Sequence, residues 1–430
     1  MLATNLGGVD LDKDYIYEGM ILYNLQGREI VVKKVEWKDE DKVEGYIEGY
    51  FIDNLSKGNS KISRFSTNTM GEFLFYELEE IQWRNNVDVL KNIPKYAKYS
   101  IEVKKIIRKE QEDSYHSMQK MISRNKLHDN LKHKYNFDGF IHTTDFTNFI
   151  SIMDKGYIYS RHKVENENLI NIDSANKTVI NNTSKYVQKN VRFYYRPKTP
   201  THYRNEGIRP GNPQHHMPIP VMLVAGRDIY NYKDMFYTDG NAGSSTSKKT
   251  DKVQNVYRYN LDRIFSQGDY SYLTYEEKKE TTRQRNAELL VPDEVSIKDI
   301  NKIIFRSNAD LKMAKILFGN DSRFIVDKSK FYNEFQYCDD YLIVVDNNIL
   351  SYSFKLNKYD ACSISQYSHA LRCKFGNLLY KYDLIKNMSR IVPKSDTYNI
   401  IGTINIGQKC KNLKSVEYLI NGHVSAIWRE

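Results

Sequence analysis

The chain is poor in cysteine and in long apolar runs, and its acidic residues fall short of its basic ones. Its four cysteines, Cys338, Cys362, Cys373 and Cys410, lie in the last hundred or so of 430 residues, and none forms a CxxC pair. This spacing argues against a disulfide framework and favours scattered reduced thiols; a zinc site recruiting His369 is the alternative. The longest apolar runs, such as Ile219 to Ala225, are far too short for a bilayer span, so no membrane role is expected. The opening residues Met1-Leu2-Ala3-Thr4-Asn5 have no basic or apolar signal region, so a cytoplasmic location is expected.

Against 54 Asp and Glu stand 64 Lys and Arg, a net charge of +10. That excess suits a polyanionic partner, and the 34 tyrosines interleaved with cations suit base stacking, although an AT-rich genome also raises Tyr, Asn, Lys and Ile together. A hydrophobic content of 40% is globular composition, and the length suggests two to four domains.

Residues 1–90 read as a small β domain. Its β-rich runs Ile30 to Trp37 and Glu44 to Ile52 flank a charged turn, and Phe73 to Tyr76 with Trp83 completes a five-stranded barrel or curled sheet. Residues 91–135 read as a charged helical connector, with Tyr99 to Lys132 spaced as one or two amphipathic helices. From 136 a strand ends at His142-Thr143-Thr144. Thr144 is expected to cap a helix whose apolar face is Phe146, Phe149, Ile150 and Met153 and which Gly156 closes. Residues 165–190 read as a polar, mobile loop, and Tyr257 to Gly268 as helix. From about 333 the pattern is all-β, with Asn421-Gly422 marking a hairpin turn.

The stretch around which the chain is organised is Arg283 to Pro292. A charged helical lead-in runs into Leu289-Leu290-Val291 and stops at Pro292, which reads as a buried strand whose first residues face a cleft. On a strand Asn286 and Glu288 share a face, and Glu288 is either a catalytic carboxylate or an ordinary surface residue of an edge strand. His142, at a strand end beside a helix N-terminus, is either placed to meet a phosphate or ribose or is a histidine satisfied by local backbone. Val191-Arg192-Phe193-Tyr194-Tyr195-Arg196-Pro197-Lys198 alternates rings with cations, as a segment meeting a nicotinamide or nucleobase would, or as an aromatic core strand before a basic turn.

As a set, His142-Thr143-Thr144 with its helix, Val191 to Pro200, Thr238-Asp239-Gly240-Asn241-Ala242 and Arg285 to Val291 resemble the DarT-type DNA ADP-ribosyltransferases, in that family's order. The resemblance covers about 136–330, leaves both flanks unexplained, and implies a mixed ADP-ribosyltransferase core. With the flanks read from their patterning, the expected fold is α+β, that core over 136–332 between the N-terminal β domain with its connector and a β-rich accessory domain over 333–430. The resemblance implies NAD as co-substrate, no metal, and transfer of ADP-ribose to a base in single-stranded DNA. It further implies a toxin of a toxin–antitoxin or phage-defence system, reversed by a macrodomain antitoxin. By position, Glu288 is the catalytic glutamate, with Asn286 and Lys198 beside it. His142, Thr144, Arg161, Phe193 and Tyr195 are expected at the cofactor, and Arg192, Arg196, Lys198, Asp239, Asn241, Arg283 and Arg285 at the nucleic acid. The family usually has Gln at the position of Asn286, Arg at that of Lys198 and His at that of Asn241, which leaves the acceptor base open. The same chemistry on RNA or protein, or a nucleic-acid binder that has lost catalysis, are the alternatives.

Overall fold

A computed structural model describes residues 21–24, 29–37, 45–55, 61–66, 73–76, 120–167, 183–211, 217–359, 362–387 and 389–430. The chain divides into two compact units, Met1–Lys120 and Met121–Glu430. The first holds β1 (Ile21–Asn24), β2 (Glu29–Trp37), β3 (Gly45–Phe51), β4 (Ile62–Ser66) and β5 (Phe73–Tyr76), an antiparallel sheet in the order β4-β3-β2-β1-β5. Its β-branched run Ile30-Val31-Val32 is fully buried. Trp83 and the expected helix before residue 120 lie outside the described residues.

A helix runs over 120–135 among the described residues, and the second unit is built on an eight-stranded sheet. Its strands are β6 (Phe140–Asp145), β8 (Asn190–Tyr194), β9 (Pro220–Ala225), β10 (Phe236–Thr238), β11 (Lys249–Thr250), β12 (Glu288–Pro292), β14 (Ile300–Phe305) and β15 (Phe324–Val326), and β7 (Tyr157–Tyr159) pairs separately with β13 (Glu294–Ser296). The spatial order is β11-β10-β12-β8-β6-β9-β14-β15, antiparallel except between β14 and β15. All six residues of β9 are buried, as an unbroken apolar run requires of a strand covered on both faces. Glu288 therefore opens a strand inside a sheet, not one at its edge.

Three local expectations are corrected. The cap of the helix Phe146–Lys155 is Asp145, not Thr144. The Asp145 carboxylate accepts the N–H groups of Thr147 (2.8 Å) and Ile219 (3.0 Å), and a charged acceptor serving two orphan donors outcompetes a hydroxyl one residue earlier. Gly156 closes the helix in the left-handed region at φ 78°, as expected. The stretch 257–268 is not one helix: only Leu261–Phe265 is helical within it, and a separate short helix, Val253–Val256, precedes it. Asn286 does not share a strand with Glu288, because the helix Tyr275–Gln284 ends in a turn that contains it.

Beyond residue 333 stand two four-stranded antiparallel sheets. One is β16 (Cys338–Asp346), β17 (Ile349–Asn357), β21 (Thr397–Asn405) and β20 (Ser389–Pro393). The other is β19 (Leu378–Asp383), β18 (His369–Phe375), β22 (Leu413–Ile420) and β23 (His423–Arg429). Phe354 stacks on Tyr418 between them, with centroids 3.8 Å apart. Asn421 and Gly422 both take positive φ in the β22–β23 turn. The apolar core runs without a break from Leu127 to Ile427. His369 is buried with Nδ1 2.6 Å from the Tyr418 hydroxyl, and burial pushes its pKa down to about 4. The described residues contain no group of three or more metal-ligating side chains, and no helix among them is long and apolar enough to cross a membrane.

Candidate active site

Strands β6 and β8 are neighbours that share a single register position, Ile141 with Tyr194. Along the stretch where they do not pair lies a cavity of 260 Å³, lined by His142, Thr144, Arg161, Arg192, Tyr194 and Thr201 among others. The two-residue period of β8 decides what faces it. Arg192 and Tyr194 line the cavity, whereas Phe193 and Tyr195 point into the core and are at most 1% exposed; Val191 is buried in the same core and also borders the cavity. Phe193 and Tyr195, expected at the cofactor, are thus core residues. The face is set by burial, which takes the two purely apolar positions of the strand.

His142 holds its place through Nδ1, 3.0 Å from the Arg192 carbonyl oxygen. A carbonyl can only accept, so Nδ1 carries the proton; burial lowers the pKa and keeps the ring neutral, leaving Nε2 as an acceptor. Arg161 opens the helix Arg161–Asn166, and its Nε donates to Glu165 at 2.6 Å.

Glu288 is fully buried, and each of its carboxylate oxygens has a partner. Oε1 accepts from Arg192 Nη2 at 2.6 Å, and Oε2 from the Ala242 N–H at 3.1 Å. Burial opposes the charge on Arg192, but the Glu288 carboxylate more than offsets it and leaves the guanidinium above its ordinary pKa. Burial and then Glu288 push Tyr194 up to about 12, so its hydroxyl stays protonated. The carboxylate does not itself line the cavity; Arg192, which holds it, does.

The segment Thr238 to Ala242 supports this arrangement. The Glu288 N–H donates to Thr238 Oγ1 at 2.9 Å, and that hydroxyl donates to the Gly240 carbonyl at 2.6 Å. Gly240 lies against Arg283, and a Cβ there would stand 3.0 Å from the Arg283 carbonyl oxygen and 2.4 Å from its Nη1. Asp239 accepts from Arg283 Nη1 at 2.7 Å, and the Asn241 N–H donates to the Arg283 carbonyl at 3.0 Å.

The structure does not bring the remaining expected residues together as an open basic surface. Arg285 is 7% exposed and donates to Ser266, Gln267 and Gly268. Arg196 is 8% exposed, donates to the Pro197 and Ser266 carbonyls, and is pushed down to about 10 by burial and then by Arg285. Arg283 is paired with Asp239 and Glu280. Asn286 accepts the Thr201 N–H at 3.1 Å and donates to the Thr282 carbonyl at 2.9 Å, tying two helices together. Lys198, at φ 53°, is half-buried at the turn into the helix Pro200–Asn205. Asn241 Oδ1 accepts the Gly243 N–H at 2.8 Å.

Sequence reasoning missed Arg192 as the partner of Glu288, Tyr194 as a cavity residue, and the Thr201–His202 wall. The period of β8 offers a signal for the first two, once its buried face is known. No local signal marks the third.

Residues 141–332 match the model of the family described as DarT, ssDNA thymidine ADP-ribosyltransferase. Among solved structures, Thermus sp. 2.9 DarT in complex with ADP-ribosylated ssDNA aligns at 15% identity and a TM-score of 0.37, over 45% of this chain and 95% of that chain. The same DarT in complex with NAD+ aligns at 15% and 0.36, over 45% and 96%. Thermosipho africanus DarTG in complex with ADP-ribose aligns at 21% and 0.38, over 48% of this chain and 53% of that chain. No curated protein matches the chain. Over residues 141–332, less than half of the chain, the sequence is thus similar to the DarT family.

Proposed function

We propose that this domain transfers ADP-ribose from NAD to a thymine in single-stranded DNA. The observation that carries the reading is the buried Glu288 carboxylate, paired with cavity-lining Arg192 inside the segment that matches the family. Cleavage breaks the bond between the ribose anomeric carbon and nicotinamide, and the electron pair leaves with neutral nicotinamide. The ribose passes through an oxocarbenium-like state. A carboxylate hydrogen-bonded to the ribose 2′-hydroxyl stabilises that state as charge develops, and a preorganised contact of this kind is worth a few kcal/mol. One oxygen of Glu288 turns from Arg192 to the ribose for this step. Arg192 otherwise holds the carboxylate in place.

Thymine within a strand has one ring N–H, at N3. The new bond forms between N3 and the anomeric carbon, and the N3 proton is released. Lys198 stands on the acceptor side, where an ammonium stabilises the deprotonated ring. Asn286 supports the same side by holding the Thr201 N–H. His142 Nε2 accepts a ribose hydroxyl of NAD, and Thr144 and Arg161 complete the cofactor side. N3 is hidden by pairing in a duplex, which favours a single strand.

An adduct at N3 also blocks base pairing. We therefore read the protein as an intracellular toxin of a toxin–antitoxin or phage-defence system, with a macrodomain hydrolase that removes ADP-ribose as its partner. Residues 333–430 are read as an appended β domain, and 1–90 as a separate one.

The test is mass spectrometry of single-stranded oligonucleotides incubated with protein and NAD. One carries all four bases and four omit one base each. The expected result is a gain of one ADP-ribose that disappears only when thymine is omitted. A gain that follows another base corrects the acceptor. Consumption of NAD only with RNA or protein moves the substrate, and no consumption with any acceptor sinks the enzyme reading.

A further inference from the structure

The segment that enters the C-terminal sheets also grips the backbone at Lys198 and Thr199, at the start of the helix that lines the cavity. The Tyr332 hydroxyl lies 2.6 Å from the Lys198 carbonyl oxygen and 3.1 Å from that of Thr199. Its backbone N–H donates to Glu206 Oε2 at 3.0 Å, and the next N–H, of Asn333, donates to Oε1 at 2.9 Å. Glu206 is 1% exposed and follows the helix Pro200–Asn205, whose Thr201, His202 and Asn205 line the cavity. His202 Nε2 lies 3.1 Å from Glu206 Oε2. The Tyr332 ring packs edge-on against Tyr203 at 4.9 Å, and Lys198 Nζ stands 6.0 Å from its centre.

Lys198 needs such a grip. Its φ of 53° lies in the left-handed region, where a residue with a Cβ is held only by its surroundings. No regular ladder bond holds its carbonyl in place; that oxygen accepts instead from a hydroxyl supplied 134 residues later. Burial pushes Tyr332 up to about 12, so the hydroxyl is protonated and able to donate at neutral pH.

We infer that Tyr332 is a positioning residue that fixes the Lys198–Thr199 backbone, and with it the Lys198 side chain, against the acceptor. This rests on the reading of Lys198 as an acceptor-side group. It makes the entry to the C-terminal sheets part of the working site.

The experiment compares Tyr332→Phe, Lys198→Ala and the double variant in the full chain, with two independent readouts. The first is amide hydrogen exchange over residues 196–204. Tyr332→Phe is expected to lower protection there and to leave β9 and β22 unchanged, which also shows that the variant folds. The second is turnover. Transfer to a thymine oligonucleotide is expected to fall about tenfold to a hundredfold, the scale of a misplaced reacting group. NAD hydrolysis without DNA and the KM for NAD are expected to stay within about twofold. Adding Tyr332→Phe to Lys198→Ala is expected to cost little more, since the two act as one unit. Unchanged exchange overturns the inference. So does an equal loss of hydrolysis and transfer, or full additivity. If the unmodified protein transfers nothing, the functional reading falls, and the exchange arm alone decides whether Tyr332 positions the segment.

Discussion

At the residue scale the centre of the molecule is one carboxylate and one guanidinium. Glu288 is fully buried, whereas the Arg192 side chain is 33% exposed and reaches the cavity. Glu288→Gln keeps the shape and removes the charge. It is expected to lower ADP-ribose transfer by at least about 10²–10³-fold, the scale of losing a preorganised transition-state contact, while leaving oligonucleotide affinity near that of the unmodified protein. Mass spectrometry and fluorescence anisotropy on the same oligonucleotide check both halves, and a variant that keeps its transfer rate removes Glu288 from the chemistry. Arg192→Ala leaves the buried carboxylate without its main partner. The expected loss of stability is about 3 kcal/mol, at the low end for a broken pair because Arg192 is partly solvated. Denaturant titration measures it, and Arg192→Lys is expected to recover part of the loss.

At the scale of elements, the cavity lies where β6 and β8 share one register position, so the residues that keep β6 and its following helix in place matter most. Asp145 is chief among them, with one oxygen on the helix N-terminus and the other on the Ile219 N–H that leads into β9. Burial raises its pKa and the N–H donors oppose that rise. Asp145→Ala removes a cap and strands a buried donor, for an expected loss of about 2–3 kcal/mol by denaturant titration. Asp145→Asn keeps an acceptor and is expected to lose less. An equal loss in both would show that charge, not hydrogen bonding, is what the position requires.

At the scale of the whole second unit, Asp310 is among the buried groups that tie stability to pH. Asp310, in the first turn of the helix Asn308–Phe318 against β16, is fully enclosed, and burial raises its carboxyl to about 6 despite the opposing charge of Arg306. Its folded pKa lies above the unfolded value of 3.8, so its contribution is fully present below about pH 4 and is lost as pH rises through 6. Relative to Asp310→Asn, the unmodified protein is expected to lose up to about 3 kcal/mol between about pH 4 and pH 7. Paired denaturation curves across that range give the difference. A constant gap would mean that Asp310 is charged in the fold throughout.

What the sequence determined by itself is whatever local chemistry dictates. The apolar run of β9 could only be a covered strand, Gly156 had to end its helix, and Asn421-Gly422 had to turn a hairpin. That Glu288 opens a buried strand was legible because a carboxylate before an apolar run is a local pattern. Which face of β8 met the cavity was not legible, since Arg192-Phe193-Tyr194-Tyr195 offers aromatic residues to both sides and only packing against the core chose Phe193 and Tyr195. Nor was the fate of the cations. Arg196, Arg283 and Arg285 look in the sequence like a strand-binding surface, yet the fold meets each of them with carbonyls or carboxylates from other elements. The bond from Tyr332 to Lys198 spans 134 residues of chain. Contacts at that separation depend on how sheets and helices pack, and only the tertiary structure decides them.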